Sequence, residues 1–166
     1  GDIAANALGT GMVIAQEWYW DEQRIQFKFS FSPTDYASIR PNLLGEGPTQ
    51  ILKDYNGQTY WLSANVKSFL RPESKFPAWL NVAVGYGGDG MIGGDDNVFD
   101  RDGITYDYSH ISRQRQFYLS PDIDFTKIPT KSKFLKGLFV VMNGFKMPMP
   151  AVELKGGNVK FHALHY

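Results

Sequence analysis

The chain has 166 residues, a length that suits one domain with a sizeable core or a small barrel. Seventeen Lys and Arg residues balance seventeen Asp and Glu residues, and this neutrality argues against nucleic-acid binding, which needs a basic surface. The absence of cysteine excludes disulfides, thiolate zinc sites and a cysteine nucleophile. Twelve Phe, nine Tyr and four Trp suit a packed β protein or a barrel with aromatic belts.

Residues 2–20 are predicted to form a helix, with Asp2 at its positively polarised N-terminus. Gly9 and Gly11 lower helix propensity, but glycine is tolerated where a second helix packs closely. The segment is either an amphipathic helix with a loose turn or half of a helix pair whose partner precedes Gly1. Because the chain opens in mid-pattern without Met, we expect a piece of a longer precursor. We divide it into residues 1–22, the end of a longer helical part, and residues 23–166, a β-barrel-like domain.

Three segments then alternate strictly between apolar and polar residues, the pattern of β-strands. Residues 24–32 place Ile25, Phe27, Phe29 and Phe31 on one face, with Gln26, Lys28, Ser30 and Ser32 on the other. Residues 60–67 and 80–87 repeat the pattern on either side of a short link. An apolar face with aromatic ends opposite a small, polar face is typical of a membrane β-barrel strand, and also of a half-buried soluble strand.

The second half of the chain predicts a strand, a helix and a hairpin. The strand covers residues 115–126, and Pro121 indicates a sheet edge or a bulge there. The helix begins at a cap, Thr130 or Ser132, and runs through Phe145. It either lies against anionic lipid, given its three N-terminal lysines, or packs on the sheet. The hairpin joins residues 151–154 to residues 159–166 about Gly156-Gly157.

These elements predict a mainly β fold, an antiparallel up-and-down sheet or a small outer-membrane-type barrel. It has an N-terminal helix and one helix before the last hairpin. Long and short connections alternate, as in such barrels. Six strands are visible, fewer than the eight of a small ordinary barrel. We therefore expect either further strands within the long loops or incomplete closure.

Several segments carry a resemblance to a known family. They are the opening DIAANALG, DYNGQTYWLSANVKSF, FPAWLNVAVGYGGDGM, YLSPDIDFTKIPTKSKFLKGLF and the closing VKFHALHY. Together they resemble the YfiM-like predicted envelope lipoproteins, in the branch found in Bacteroidota, over nearly the whole chain. That family also carries an upstream Asp-Lys-x-x-His motif, which does not occur here. The resemblance implies a location in the cell envelope, in or near the outer membrane, and it implies no activity.

The Asp-rich loop at residues 87–103 invites a calcium interpretation, because hard oxygen ligands suit that ion. The candidate ligands include Asp95, Asp100 and Asp102. Their spacing about Gly103 does not fit an EF-hand, since the first ligand position would be Val98. A solvated loop is the favoured interpretation, and we expect neither a metal nor another cofactor.

A Ser–His–acid site is the sharper catalytic hypothesis. His162 would be the base, Ser120 or Ser63 the nucleophile, and Asp122 or Asp124 the orienting acid. No G-x-S-x-G context supports it. His162 and His165 are predicted on opposite faces of one strand and so cannot share a metal. A polar interior network explains the same residues without chemistry, and its predicted members are Tyr118, Asp122, Asp124, Lys67, Glu153, Lys160 and His162.

The favoured function is therefore non-enzymatic, an accessory or structural subunit of the outer membrane or its periplasmic face. Its expected partners are lipid and a larger membrane assembly, such as protein-export or outer-membrane assembly machinery. The alternatives are a lipid-active outer-membrane hydrolase and a soluble periplasmic binding module with an apolar groove. With the Phe29 face outward, Phe29→Arg should block insertion, whereas Lys28→Ser should be mild.

Overall fold

The computed structural model describes the backbone of residues 2–166 and the side chains of Ala7 and residues 9–166. Within these residues it is mainly β. The strands are β1 (Ile25–Phe31), β2 (Gln58–Asn65), β3 (Leu80–Asp89), β4 (Val98–Arg101), β5 (Ile104–Asp107), β6 (Gln114–Ile123), β7 (Met149–Lys155) and β8 (Asn158–His165). The helices are α1 (Asp2–Trp20), α2 (Tyr36–Ile39), α3 (Pro41–Leu44), α4 (Gln50–Lys53) and α5 (Lys133–Met142).

Six strands form one antiparallel sheet in the order β1-β2-β3-β6-β7-β8. Within this sheet, each strand pairs with the member that follows it along the chain, so β3 pairs with β6. The predicted mainly β, up-and-down fold is therefore confirmed, together with its N-terminal helix and the helix before the last hairpin. The remaining strands, β4 and β5, form a separate hairpin inside the loop after β3, so the main sheet keeps the six strands predicted for it.

The two ends of the sheet differ in what they carry. At the loop rim lie residues 32–57, residues 90–113 and the turn between β7 and β8. At the helix rim lie α1, residues 66–79, residues 124–148 with α5, and the end of β8. Gly156 and Gly157 have φ values of 54° and 81°, the left-handed conformations that a two-residue type I′ turn requires. The predicted hairpin is thus present.

Helix α5 starts as predicted but ends earlier. The Ser132 side chain caps it by accepting a hydrogen bond from the Leu135 N–H (3.3 Å). After Met142 the chain turns to pair with β1. The Phe29 N–H donates to the Gly144 carbonyl (3.0 Å), and the Lys146 N–H donates to the Phe29 carbonyl (2.9 Å). The helix therefore cannot continue to Phe145.

Pro121 lies in a central strand, between β3 and β7, and its register against β3 has no bulge, so the predicted sheet edge exists there only locally. Pairing of β6 with β7 covers only Gln116–Leu119, whereas pairing with β3 continues through Pro121 to Ile123. Because proline has no N–H to donate, it is tolerated beyond the end of the β7 ladder.

The sheet curls so that its polar face is inside and its apolar face is outside. Lys28 of β1 reaches Asp122 of β6, although β2 and β3 lie between these strands. The inner face contains the buried residues Lys28, Ser30, Thr59, Trp61, Ser63, Asn65, Asn81, Ala83, Tyr118, Ser120, Asp122, Ala151 and Glu153. The outer face exposes Phe27, Tyr60, Leu62, Val82, Val84, Tyr86, Phe117, Leu119, Val152, Leu154, Val159 and Phe161.

Gly85 provides the space that the interior needs for its largest side chain. A Cβ at Gly85 would lie 2.7 Å from the ring of Trp61, which is itself only 1% exposed. Gly85→Ala should therefore overpack the interior and lower the free energy of unfolding by about 1–3 kcal/mol.

Thermal unfolding of the purified variants measures this loss. Gly137→Ala in α5 is the control, because a Cβ there meets nothing within 4 Å. Alanine should raise helix stability at that exposed position. Equal unfolding midpoints for the two variants would contradict the assigned contact with Trp61.

Candidate functional site

A buried ion pair lies at the centre of the inner face. The Lys28 Nζ is 2.8 Å from the Asp122 Oδ2, and both side chains are inaccessible to solvent. Lys28 also donates to the Ile123 carbonyl (2.6 Å) and to the Asn143 Oδ1 (3.2 Å). The Ser63 hydroxyl donates to the same Asp122 oxygen at 2.6 Å. Lys28 thus has the partners that a buried ammonium group requires.

A second lysine enters the interior from the segment before β7. The Lys146 Nζ donates to the Met147 carbonyl (2.9 Å) and lies 5.0 Å from the centroid of the Trp61 ring. It is 4.0 Å from the Asp122 Oδ1, which has no hydrogen-bond partner among the described residues. The aromatic face and the carboxylate together offset part of the cost of burying this second cation.

A neighbouring amide network connects β1, β6 and α5. Gln26 donates to the Asp124 Oδ2 at 3.0 Å, and the Asn143 amide donates to the Gln26 Oε1 at 2.7 Å. Asn143 also accepts from the Phe125 N–H at 3.0 Å. The C-terminal end of α5 is therefore tied to both walls of the interior.

The histidines form a third group, and their predicted separation is wrong. The rings of His162 and His165 lie on the same inner face, 5.3 Å apart between centroids. The cause is a bulge. From Ala151 back to Met149 β7 covers two residues, whereas from His162 to His165 β8 covers three. His162 meets the Glu153 carboxylate at 2.6 Å.

In the structure, neither candidate serine is hydrogen-bonded to His162. The Ser120 hydroxyl donates to the carbonyls of Pro150 (2.9 Å) and Pro121 (2.8 Å). Ser63 and Asp122 bind each other beside Lys28, whereas His162 binds Glu153. Asp124 accepts from Gln26 and Thr126. The structure therefore does not assemble a serine–histidine–acid triad from these residues.

The predicted interior network is correct for five of its seven members. Tyr118, Asp122, Asp124 and Glu153 are buried, and His162 is half-buried beside them. The two lysines differ. Lys67 donates to the carbonyls of Pro72 and Ser74 in the loop after β2, and Lys160 is exposed. The interior lysines are instead Lys28 and Lys146. Period-two alternation had already placed Lys28 on the polar face of β1.

The side chain of Asn97 organises the Asp-rich loop. This side chain accepts from the Ile92 N–H (3.0 Å) and donates to the Gly90 and Ile111 carbonyls (2.8 and 2.9 Å). Farther along, a hydrogen bond from Ser109 lowers the pKa of Asp107.

The predicted calcium ligands have separate roles. Asp95 accepts from Arg113 through its carbonyl, Asp100 accepts from Thr105, and Asp102 contacts Arg101 at the turn between β4 and β5. In the described part of the chain, no group of three or more His, Asp or Glu residues is arranged to hold a metal ion.

The two edge strands of the sheet differ in how their outward backbone groups are hydrogen-bonded. Gln16 of α1 acts as a substitute strand for β1, since its side chain accepts from the Ile25 N–H (2.7 Å) and donates to the Ile25 carbonyl (3.0 Å). The backbone groups of Gly144 and Lys146 likewise form hydrogen bonds with the backbone of Phe29. The opposite edge, formed by β8, pairs with β7 alone among the described residues.

A groove of about 1160 Å³ lies where α1, β1 and α5 meet. Its walls are mainly apolar, with a polar patch at Gln26 and Asn143. The apolar lining includes Met12, Val13, Ile25, Phe27, Leu62 and Val140.

Comparison of the chain with protein-family profiles, curated proteins and solved structures found no match. The resemblance to YfiM-like envelope lipoproteins therefore stays a prediction. Among the described helices, none is both long and apolar enough to cross a membrane.

The buried ion pair changes the prediction for Lys28→Ser from a mild effect to a severe one. The substitution leaves Asp122 without its main partner in the interior, so it should cost about 3–5 kcal/mol of folding free energy. Lys160→Ser is the matched control, because Lys160 lies on β8 and is exposed. Equilibrium unfolding of both variants measures the difference. If the two variants unfold alike, Lys28 does not stabilise the fold as its contacts indicate.

Proposed function

We propose that the protein is a non-enzymatic accessory subunit of the outer membrane that associates with a larger membrane assembly. The main support for this proposal is the inverted polarity of the sheet, which has charged side chains inside and apolar side chains outside. In water, apolar surface is normally removed from the solvent by folding. Hydrocarbon favours the opposite arrangement.

The dimensions of the sheet support lipid as the medium. Strands β3 and β6 each have ten residues, and a strand rises about 3.3 Å per residue. At the tilt of about 45° that membrane strands adopt, ten residues rise about 23 Å, close to the apolar band of about 25 Å on known barrels.

The open edge of β8 supports a protein partner within the membrane. In a two-residue hairpin the pair next to the turn is hydrogen-bonded, and such pairs then alternate. The backbone groups of Val159 and Phe161 therefore point away from β7. Hydrocarbon cannot satisfy them, so a strand of a partner protein would complete the edge.

The groove between α1, β1 and α5 favours a second candidate, the soluble binding module. In that function the groove would take an apolar ligand. Extraction of the native protein by high salt without detergent would support this candidate and count against membrane integration.

A charge in the middle of the outer face tests the membrane proposal. Leu119 is 53% exposed near the centre of β6. Leu119→Arg should sharply reduce the membrane-integrated fraction, because a midplane arginine costs about 2–4 kcal/mol. Leu52→Arg is the control, since Leu52 is 79% exposed but lies in α4 at the loop rim.

The readout is the fraction of protein that resists carbonate extraction from membranes. The proposal is wrong if Leu119→Arg and Leu52→Arg fold and integrate equally well.

A single backbone N–H tests the partner strand. Phe161→Pro removes the outward N–H of β8 without removing a hydrogen bond to β7. Phe161→Ala removes the same ring but keeps that N–H. Native gels of membranes solubilised in mild detergent should show the large complex with Phe161→Ala and its loss with Phe161→Pro. Retention of the complex by both variants would contradict edge pairing.

A further inference from the structure

One charged side chain interrupts the outer face of the described six-stranded sheet. The outward residues of β6 are Arg115, Phe117, Leu119, Pro121 and Ile123, of which Arg115 alone is charged. Arg115 pairs with Gly88, two residues toward the loop rim from the Tyr86–Phe117 pair. It is about 13 Å along the strand from Leu119, at the boundary of the apolar band.

A pocket of about 520 Å³ opens at this position. Arg113 also lines it, and the guanidinium group of Arg113 donates to the carbonyls of Gly94 and Asp95 and is thereby held in place. No Asp or Glu lines the pocket, and Arg115 makes no salt bridge or side-chain hydrogen bond within the described residues. The remaining lining includes Tyr55, Tyr60 and Tyr86.

The chemistry of this lining selects an anion at a membrane surface. Guanidinium groups present several N–H donors that match phosphate oxygens. Tyrosine rings are enriched where a membrane protein passes from hydrocarbon to headgroups. Below Arg115 the outer face continues as Phe117 and Leu119 beside Val84, a surface on which acyl chains can lie.

We propose that this Arg115 pocket binds the phosphate of a membrane lipid whose acyl chains lie along β3 and β6. The inference rests on the proposed membrane location. Arg115 provides the main contact with the phosphate, Arg113 adds a fixed positive charge, and the tyrosine rings cover the glycerol region.

The test uses the purified full chain in detergent and calorimetric titration with three probes. These are a short-chain phosphatidic acid, a diacylglycerol with the same chains, and inorganic phosphate. The phosphatidic acid should bind the wild type at least about tenfold more tightly than either other probe, because charge-assisted hydrogen bonds add to chain contacts. Arg115→Gln should weaken phosphatidic acid binding by about tenfold. Arg71→Gln, in the exposed loop at the helix rim, should leave it unchanged.

Each other result overturns the proposal in a defined way. Equal affinity of Arg115→Gln and wild type removes the role of Arg115. Equal binding of diacylglycerol means that the surface recognises chains alone, and equal binding of inorganic phosphate means a free-phosphate site. Carbonate extraction of the wild-type protein keeps the two proposals apart. If wild-type protein integrates but the lipid result fails, only this inference fails.

Discussion

The contact between Lys28 and Asp122 sets the shape of the molecule. A sheet that twists gently keeps its first and fourth strands well apart, yet these two side chains meet at 2.8 Å. They can meet because the buried inner-face residues between them, Ser63 of β2 and its pairing partner Ala83 of β3, are small. Since an unpaired buried charge is costly, the pair favours the curled form over flatter ones.

The curled form determines the character of both surfaces. Its interior is narrow enough for Trp61 of β2 to approach His165 of β8, with ring centroids 6.0 Å apart. Polar groups in the interior form hydrogen bonds with one another, as Asn143 does with Gln26. The exterior is left with side chains that make few contacts. On the proposed function, lipid would cover that exterior, so the small size of the hydrophobic core cluster, formed by Trp61, Ala83 and Tyr118, would follow from the medium.

The local part of the fold could be predicted from the sequence. Alternation identified the six long strands and their faces, and Gly156-Gly157 marked the last turn. Contacts across the interior could not be predicted, because alternation says which face Lys28 occupies and nothing about the curl that brings it to Asp122. The histidines were misplaced for a related reason. One extra residue in β8 reverses the facing of His165, and the proline at that bulge, Pro150, lies on the neighbouring strand β7 rather than on β8.

The difference between the two sheet edges limits how this protein can associate. A strand that approached β1 would have to displace both Gln16 and the Gly144–Lys146 segment from the backbone of β1. A strand that approaches β8 would displace no described segment, because among the described residues β8 pairs with β7 alone. Head-to-tail pairing of β8 with β1 of another copy, which would build an open-ended filament, is therefore disfavoured. One open edge instead allows one partner strand, and on the proposed function this gives the subunit a defined stoichiometry in its assembly.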